Sequence, residues 1–119
     1  MKKYALFAAL LGLAACRYDS ADELFPAAPA DCATAVTFGQ TIKPLLAQRC
    51  GSCHAGAAAS GGVRLDNHAD VKKVAASGKL AGVISHAAGF SPMPLGGAKL
   101  SDCNIGQVQQ WIKAGMPDN

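Results

Sequence analysis

The sequence predicts an all-α fold for one small domain, and three observations support this. Several stretches repeat apolar residues at the three- and four-residue spacing of a helix. Residues that favour helix starts (Thr, Asn and Ser) precede these stretches. No stretch is convincing as a strand, and no internal repeat is visible. The chain has 119 residues and a net charge of only +3, which gives no support for a nucleic-acid partner.

The first helix is predicted over residues 37–49, where one face is apolar. The face is made by Phe38, Ile42, Leu45 and Leu46. Thr37 followed by Gln40 fits a capping box at its start. Pro44 lacks a backbone donor, so we expect it to kink the helix or split its first turn.

The middle of the chain predicts a loop followed by shorter helices. Residues 55–62 are almost entirely Ala and Gly, which is typical of a loop, and residues 63–65 should be extended. Asn67 can cap a helix over residues 68–76, which Gly78 would end. Residues 80–86 should add one or two further turns.

The last helix is predicted over residues 101–114 and has the clearest signals. Ser101 is the expected N-cap, and Asp102 in the first turn suits the positive end of the helix dipole. Its apolar face consists of Ile105, Val108, Trp111 and Ile112. Gly115 suits the C′ position, and Pro117 prevents continuation.

The N-terminus reads as an export signal. A basic start and a short apolar run lead to Leu13-Ala14-Ala15-Cys16, which resembles the lipobox of bacterial lipoproteins. We therefore expect a signal peptide over residues 1–15, a lipid on Cys16, a tether over residues 16–34 and a folded domain over residues 35–119. Arg17 after the cysteine favours the outer membrane over the inner one, on its periplasmic side. The alternative is an ordinary signal peptide cleaved after Ala15 or later.

The stretch Cys50-Gly51-Ser52-Cys53-His54 contains the main candidates for binding a prosthetic group or a metal. Cys-x-x-Cys-His is the attachment signature of a c-type haem, because two thiols at this spacing can each add to one vinyl group and the next histidine can ligate the iron. A domain rich in Ala and Gly would also gain apolar bulk from a bound macrocycle. Two other interpretations are a redox disulfide and half of a zinc site.

The cysteine count is consistent with this assignment. The chain has five cysteines, an odd number that needs an explanation in an exported protein. Lipid on Cys16 and haem on Cys50 and Cys53 leave Cys32 and Cys103, which we expect to form a disulfide in an oxidising compartment. The alternative is two free buried thiols.

A second informative stretch surrounds Met93. Pro92 and Pro94 restrict the backbone on each side of it, so the loop can hold a thioether out in one direction. Met93 comes 39 residues after His54.

Together these features resemble the small monohaem class I cytochrome c domain, over residues 36–119. The resemblance implies three to five helices wrapped around one covalent haem c, with His54 and Met93 as axial iron ligands. It also implies that the other ring nitrogen of His54 donates to a carbonyl of the following loop. The first and last helices should cross, and Gly39 and Trp111 are the candidates for that contact. Pro44 and the extra cysteine pair depart from the family's pattern.

Other residues could replace Met93 as the distal ligand. Met116 lies beyond the last helix, where a surface or capping role is expected. His68 and His86 would each give bis-histidine ligation, although both fit exposed helix ends equally well.

The expected function is electron transfer by an exported, lipid-anchored haem protein that is not an enzyme and takes no small-molecule substrate. Its partners would be redox proteins and, through the lipid, a membrane. Four lysines could form a docking face for a redox partner or simply a solvated basic surface. The four are Lys72, Lys73, Lys79 and Lys99. Arg64 or Lys99 could pair with a haem propionate. The alternatives are a haem-bearing sensor or accessory subunit of a larger oxidase or dehydrogenase, and a haem peroxidase, against which Met93 argues.

Overall fold

The computed structural model describes Cys32 and residues 35–119. In this part of the chain, 55% of residues are helical and no strand is present, so the predicted all-α class is confirmed there. The predicted signal peptide, the lipid site at Cys16 and most of the tether lie outside the described residues. No helix among the described residues is long and apolar enough to cross a membrane.

The first helix divides between Ile42 and Lys43, just before Pro44, in accord with the predicted split of its first turn. A π-helical segment, Phe38–Ile42, leads directly into helix α1, Lys43–Arg49. The Ile42 N–H donates to Thr37 O at 3.1 Å, a five-residue step that is wider than an α-turn. The wider turn precedes Pro44, whose ring would crowd the carbonyl four residues back in a regular α-helix.

The start of this helix has a different cap from the predicted capping box. Thr37 Oγ1 accepts from the Gln40 N–H at 3.2 Å, as expected. The Thr37 N–H, however, donates to the Thr41 hydroxyl at 3.4 Å, in the place that the Gln40 side chain would take in a capping box. A hydroxyl one residue further along therefore completes the cap.

Four more α-helices and one 3₁₀ turn follow the break at Cys50 in the described part of the chain. Helix α2 is the single turn Gly51–His54, and a 3₁₀ turn spans Ser60–Gly62. Helix α3 is His68–Ala76, capped by the Asn67 side chain, which accepts from the Asp70 N–H at 3.0 Å. Helix α4 is Lys79–Ile84 and begins after Gly78 in the left-handed conformation.

Helix α5, Asp102–Lys113, carries the predicted caps. Ser101 accepts from the Asn104 N–H at 3.2 Å, and Gly115 follows the helix with a positive φ of 89°. Trp111 is fully buried, and its indole Nε1–H donates to Pro117 O at 2.9 Å. The tail after α5 is thereby held against the helix.

The first and last helices pack against each other. The ring centroids of Phe38 and Trp111 lie 5.6 Å apart, so Phe38 supplies the aromatic contact beside the predicted Trp111. The predicted Gly39 instead meets the tail: its N–H donates to Asn119 O at 2.7 Å, and a Cβ at Gly39 would lie 3.2 Å from that oxygen. Gly39 thus permits close approach of the tail.

The buried apolar residues form one cluster that joins the π-helical segment to α1, α3, α4 and α5. Its largest fully buried members are Trp111, Ile42, Leu46, Leu80, Ile84, Val71 and Val108. No polar or charged residue is buried among the described residues. The Cα atoms of Cys32 and Cys103 lie 5.5 Å apart and the structure joins their sulfurs, in accord with the predicted disulfide.

Candidate functional site

A cavity of about 460 Å³ lies beside this core, and its lining is largely apolar. Three separate stretches supply its walls, from residues 49–54, 60–63 and 93–95. Its size falls within the range of roughly 300–1,000 Å³ that is common for small-molecule and cofactor pockets. The lining includes Cys50, Cys53, His54 and Met93, so the structure brings all four predicted haem-site residues to one cavity.

Cys50 lies at the break between α1 and α2, and Cys53 lies within α2. The Cys50 N–H ends α1 by donating to Leu46 O at 2.8 Å, and the Cys50 carbonyl accepts from the His54 N–H at 2.9 Å. Cys50 and Cys53 are separated by one helical turn, a spacing that places both side chains on the same side. Both are free thiols. Burial raises the pKa of the half-buried Cys50 thiol, and the nearby Arg49 guanidinium partly offsets this rise.

His54 is fixed through both its ring and its backbone. Nδ1 lies 3.0 Å from Val63 O, and the His54 carbonyl accepts from the Leu65 N–H at 2.8 Å. A carbonyl oxygen can only accept, so Nδ1 carries the hydrogen and the neutral ring has its lone pair on Nε2. This is the tautomer that a histidine ligand needs to bind a metal through Nε2. The acceptor lies in the loop after His54, where the family resemblance placed it.

Asp66 closes the loop that carries this acceptor. Its Oδ2 accepts from the Gly56 N–H at 2.8 Å, and its Oδ1 lies 3.2 Å from the Arg64 guanidinium. The Gly56 N–H is the main reason that the pKa of Asp66 lies below its ordinary value, and Asn67 and Arg64 add to the effect. The carboxylate therefore joins the two ends of the segment in which Val63 lies.

Met93, Pro94 and Leu95 contribute the third stretch of the lining. Met93 and Pro94 are half-buried, whereas Leu95 is 82% exposed and so belongs to the rim. The Met93 N–H donates to Val83 O at 3.0 Å, which ties the loop to the end of α4. The Met93–Pro94 peptide bond is cis.

The other candidate ligands are not part of the cavity lining. The His68 ring packs edge-on against Phe38, with centroids 4.8 Å apart, and its Nε2 lies 3.0 Å from Met116 O. Met116 packs partly against the core beyond α5. His86 directs Nε2 at the Met93 carbonyl, 3.1 Å away. Each of these side chains therefore has a structural partner elsewhere.

The predicted propionate partners also lie outside the lining, and another cation lies within it. Arg64 pairs with Asp66 and Asp70, and Lys99 pairs with Asp102 at 3.0 Å. Arg49 lines the cavity instead. The position of Arg49 next to Cys50 is the sequence signal that could have indicated this.

The four lysines considered for a docking face are exposed. Two of them, Lys73 and Lys79, line a second, open cavity of about 340 Å³ together with Arg64 and Asp70. The described residues contain no cluster of three or more His, Cys, Asp or Glu side chains suited to a metal ion. No family model, curated protein or solved structure matches this chain.

Proposed function

We propose that the chain binds one covalent haem c in the 460 Å³ cavity and serves as a one-electron carrier. The observation that carries the proposal is that Cys50, Cys53, His54 and Met93 line the same cavity. Their spacing in sequence does not by itself require this, since Met93 lies 39 residues beyond His54.

The residues at the cavity fit this group in their chemistry. Cys50 and Cys53 are free thiols at the spacing that haem attachment uses, and both would form thioethers. His54 offers Nε2, since Nδ1 is engaged with Val63 O at 3.0 Å. Met93 offers a soft thioether sulfur from a different part of the chain.

Bound haem would supply an iron that cycles between Fe(III) and Fe(II). The Val63 carbonyl holds the His54 ring in one orientation and makes the imidazole a better donor. Methionine ligation favours the reduced iron and so raises the reduction potential. The largely apolar lining would limit the access of water to the bound group, which would also raise the potential.

The resemblance to class I cytochrome c domains covers residues 36–119 and implies helices wrapped around the haem and electron exchange with redox partner proteins. The separate resemblance of residues 13–16 to a lipobox implies export through residues 1–15 and a lipid on Cys16. The Arg49 guanidinium at the cavity would pair with a carboxylate of the group more readily than Arg64 or Lys99, since both of those already pair with aspartates.

The direct test is covalent haem in the purified full-length protein, produced in cells that export it and attach c-type haem. We expect the intact mass of the denatured protein to include one haem, with an absorption spectrum typical of two thioether bonds. Changing Cys50→Ser and Cys53→Ser together should abolish the attachment. Cys103→Ser is the control, because Cys103 is not part of the cavity lining and its loss should leave the haem attached.

Two results would contradict the proposal. One is a denatured protein without haem in which Cys50 and Cys53 are free or joined to each other. The other is stoichiometric zinc bound through these cysteines. Rapid carbon monoxide binding to a reduced, haem-loaded protein would instead favour the sensor alternative, because it requires an open iron site.

A further inference from the structure

The segment between α4 and Met93 folds back on the end of that helix. The Ala87 N–H donates to Gly82 O and the Met93 N–H donates to Val83 O, both at 3.0 Å. The Phe90 ring lies directly over Gly82, where an added Cβ would come within 2.6 Å of its atoms. The loop therefore approaches α4 through backbone contacts at both ends.

The His86 side chain adds a further contact between this turn and Met93. Its backbone φ is +54°, in the left-handed region, and this turns the chain directly after α4. Its Nε2 lies 3.1 Å from Met93 O, and because a carbonyl only accepts, Nε2–H is the donor. Both backbone polar groups of Met93 are thus hydrogen-bonded, the N–H to Val83 and the carbonyl to His86.

We propose that His86 is a positioning residue that holds the Met93 thioether at the cavity. The inference rests on the proposed function, since it assigns His86 a role toward the expected distal ligand. Without the His86 bond, the Met93 backbone keeps only the hydrogen bond from its N–H to Val83 O at the end of α4. Met93 would then leave the iron more often, and an added ligand would compete with it more easily.

The test uses two substitutions with opposite expectations. In His86→Asn, the residue still tolerates a positive φ, but the side chain is too short to reach Met93 O. In His86→Gln, an amide N–H remains at a reach similar to that of Nε2. Only the first change should release Met93.

The structure provides a matched control at His68. That ring also places Nε2 near a methionine carbonyl, Met116 O at 3.0 Å, but it packs beside Phe38 and away from the cavity lining. His68→Asn therefore removes the same kind of hydrogen bond without touching the Met93 loop. It should lower overall stability and leave Met93 in place.

The first measurement is the dissociation constant of added imidazole in the oxidised, haem-loaded protein, followed by loss of the sulfur-to-iron charge-transfer band. We expect His86→Asn to lower this constant about three- to tenfold, the equivalent of one net hydrogen bond. His86→Gln should restore most of the wild-type value, and His68→Asn should not change it. Equal values for His86→Asn and wild type would overturn the inference, as would an equal effect of His68→Asn or of His86→Gln.

The second measurement does not need haem: the hydrogen-exchange rate of the Met93 amide in the purified protein. His86→Asn should raise this rate about three- to tenfold relative to wild type, and His68→Asn should raise it less. If the protein carries no haem, the proposed function fails while this comparison still decides whether His86 holds Met93. An unchanged rate in His86→Asn would overturn the positioning role in either case.

Discussion

Gly82→Ala tests whether the Phe90 contact holds the Met93 loop against α4. A Cβ at Gly82 would lie 2.6–2.7 Å from three atoms of the Phe90 ring, far inside the roughly 3.5–4.0 Å separation of carbon atoms in contact. The ring must therefore move outward by about 1 Å. Overpacking of this kind costs about 1–3 kcal/mol, whereas replacing glycine by alanine within a helix returns about 1 kcal/mol or less.

Gly106→Ala is the matched control, because Gly106 lies within α5 and nothing stands within 4 Å of the position of its Cβ. This variant should be more stable than wild type by about 0.5–1 kcal/mol. Gly82→Ala should unfold at lower denaturant than Gly106→Ala, with a difference of about 1–3 kcal/mol in the free energy of unfolding. Chemical denaturation of both variants under identical conditions measures the difference. Equal stabilisation by the two alanines would refute the reasoning, because it would mean that Phe90 does not pack on Gly82.

Three further predictions concern stability. The pKa of Asp66 is lower in the folded protein than its ordinary value of 3.8, so its contribution to folding stability is present above pH 3.8 and is lost as the pH falls through the folded-state pKa. Asp66→Asn should therefore flatten the acid limb of a stability–pH profile, and an unchanged limb would contradict this. Changing Cys32→Ser and Cys103→Ser together should cost about 4 kcal/mol in the chain-entropy model, since the residues are 71 apart; denaturation of the non-reduced protein checks this, and no loss would contradict the expected stabilisation. Trp111→Phe should cost about 1–3 kcal/mol because Pro117 O loses its donor; a neutral effect in thermal unfolding would contradict that role.

The sequence predicted the helices with local capping signals well. Helix α5 begins after Ser101 and ends beside Ala114, the two ends of the predicted range, because the cap and the apolar spacing act within a few residues. Helix α3 spans the predicted residues 68–76 with Asn67 as its cap. The first helix was harder, because the π-helical segment before Pro44 depends on how the chain avoids a steric clash.

The candidate site could be predicted from the sequence where the type of side chain determines what it can bind. Cys50, Cys53, His54 and Met93 are recognisable by type and spacing, and all four line the cavity. Backbone acceptors have no such signature. Any residue can offer a carbonyl, so neither Val63 O beside His54 nor Val83 O at Met93 could be named from sequence.

Prediction from the sequence has a second limit, because the partner of a side chain depends on the tertiary structure. His86 and Arg49 are examples. The sequence allowed His86 as a rival ligand, but the turn after α4 aims its ring at the Met93 carbonyl. Arg49 is an unremarkable helix-end cation in sequence, and the break at Cys50 leaves it at the cavity. Only the folded arrangement separates these roles.

We propose that the protein holds a single His–Met-ligated haem that carries one electron. The most direct test of this proposal is a spectroelectrochemical titration of the purified full-length protein, recording the visible and near-infrared spectra together. We expect one reversible one-electron transition, a sulfur-to-iron charge-transfer band in the oxidised form, and loss of that band in Met93→Ala with a fall in potential. A protein with no redox-active haem, or a band and potential that Met93→Ala leaves unchanged, would contradict it.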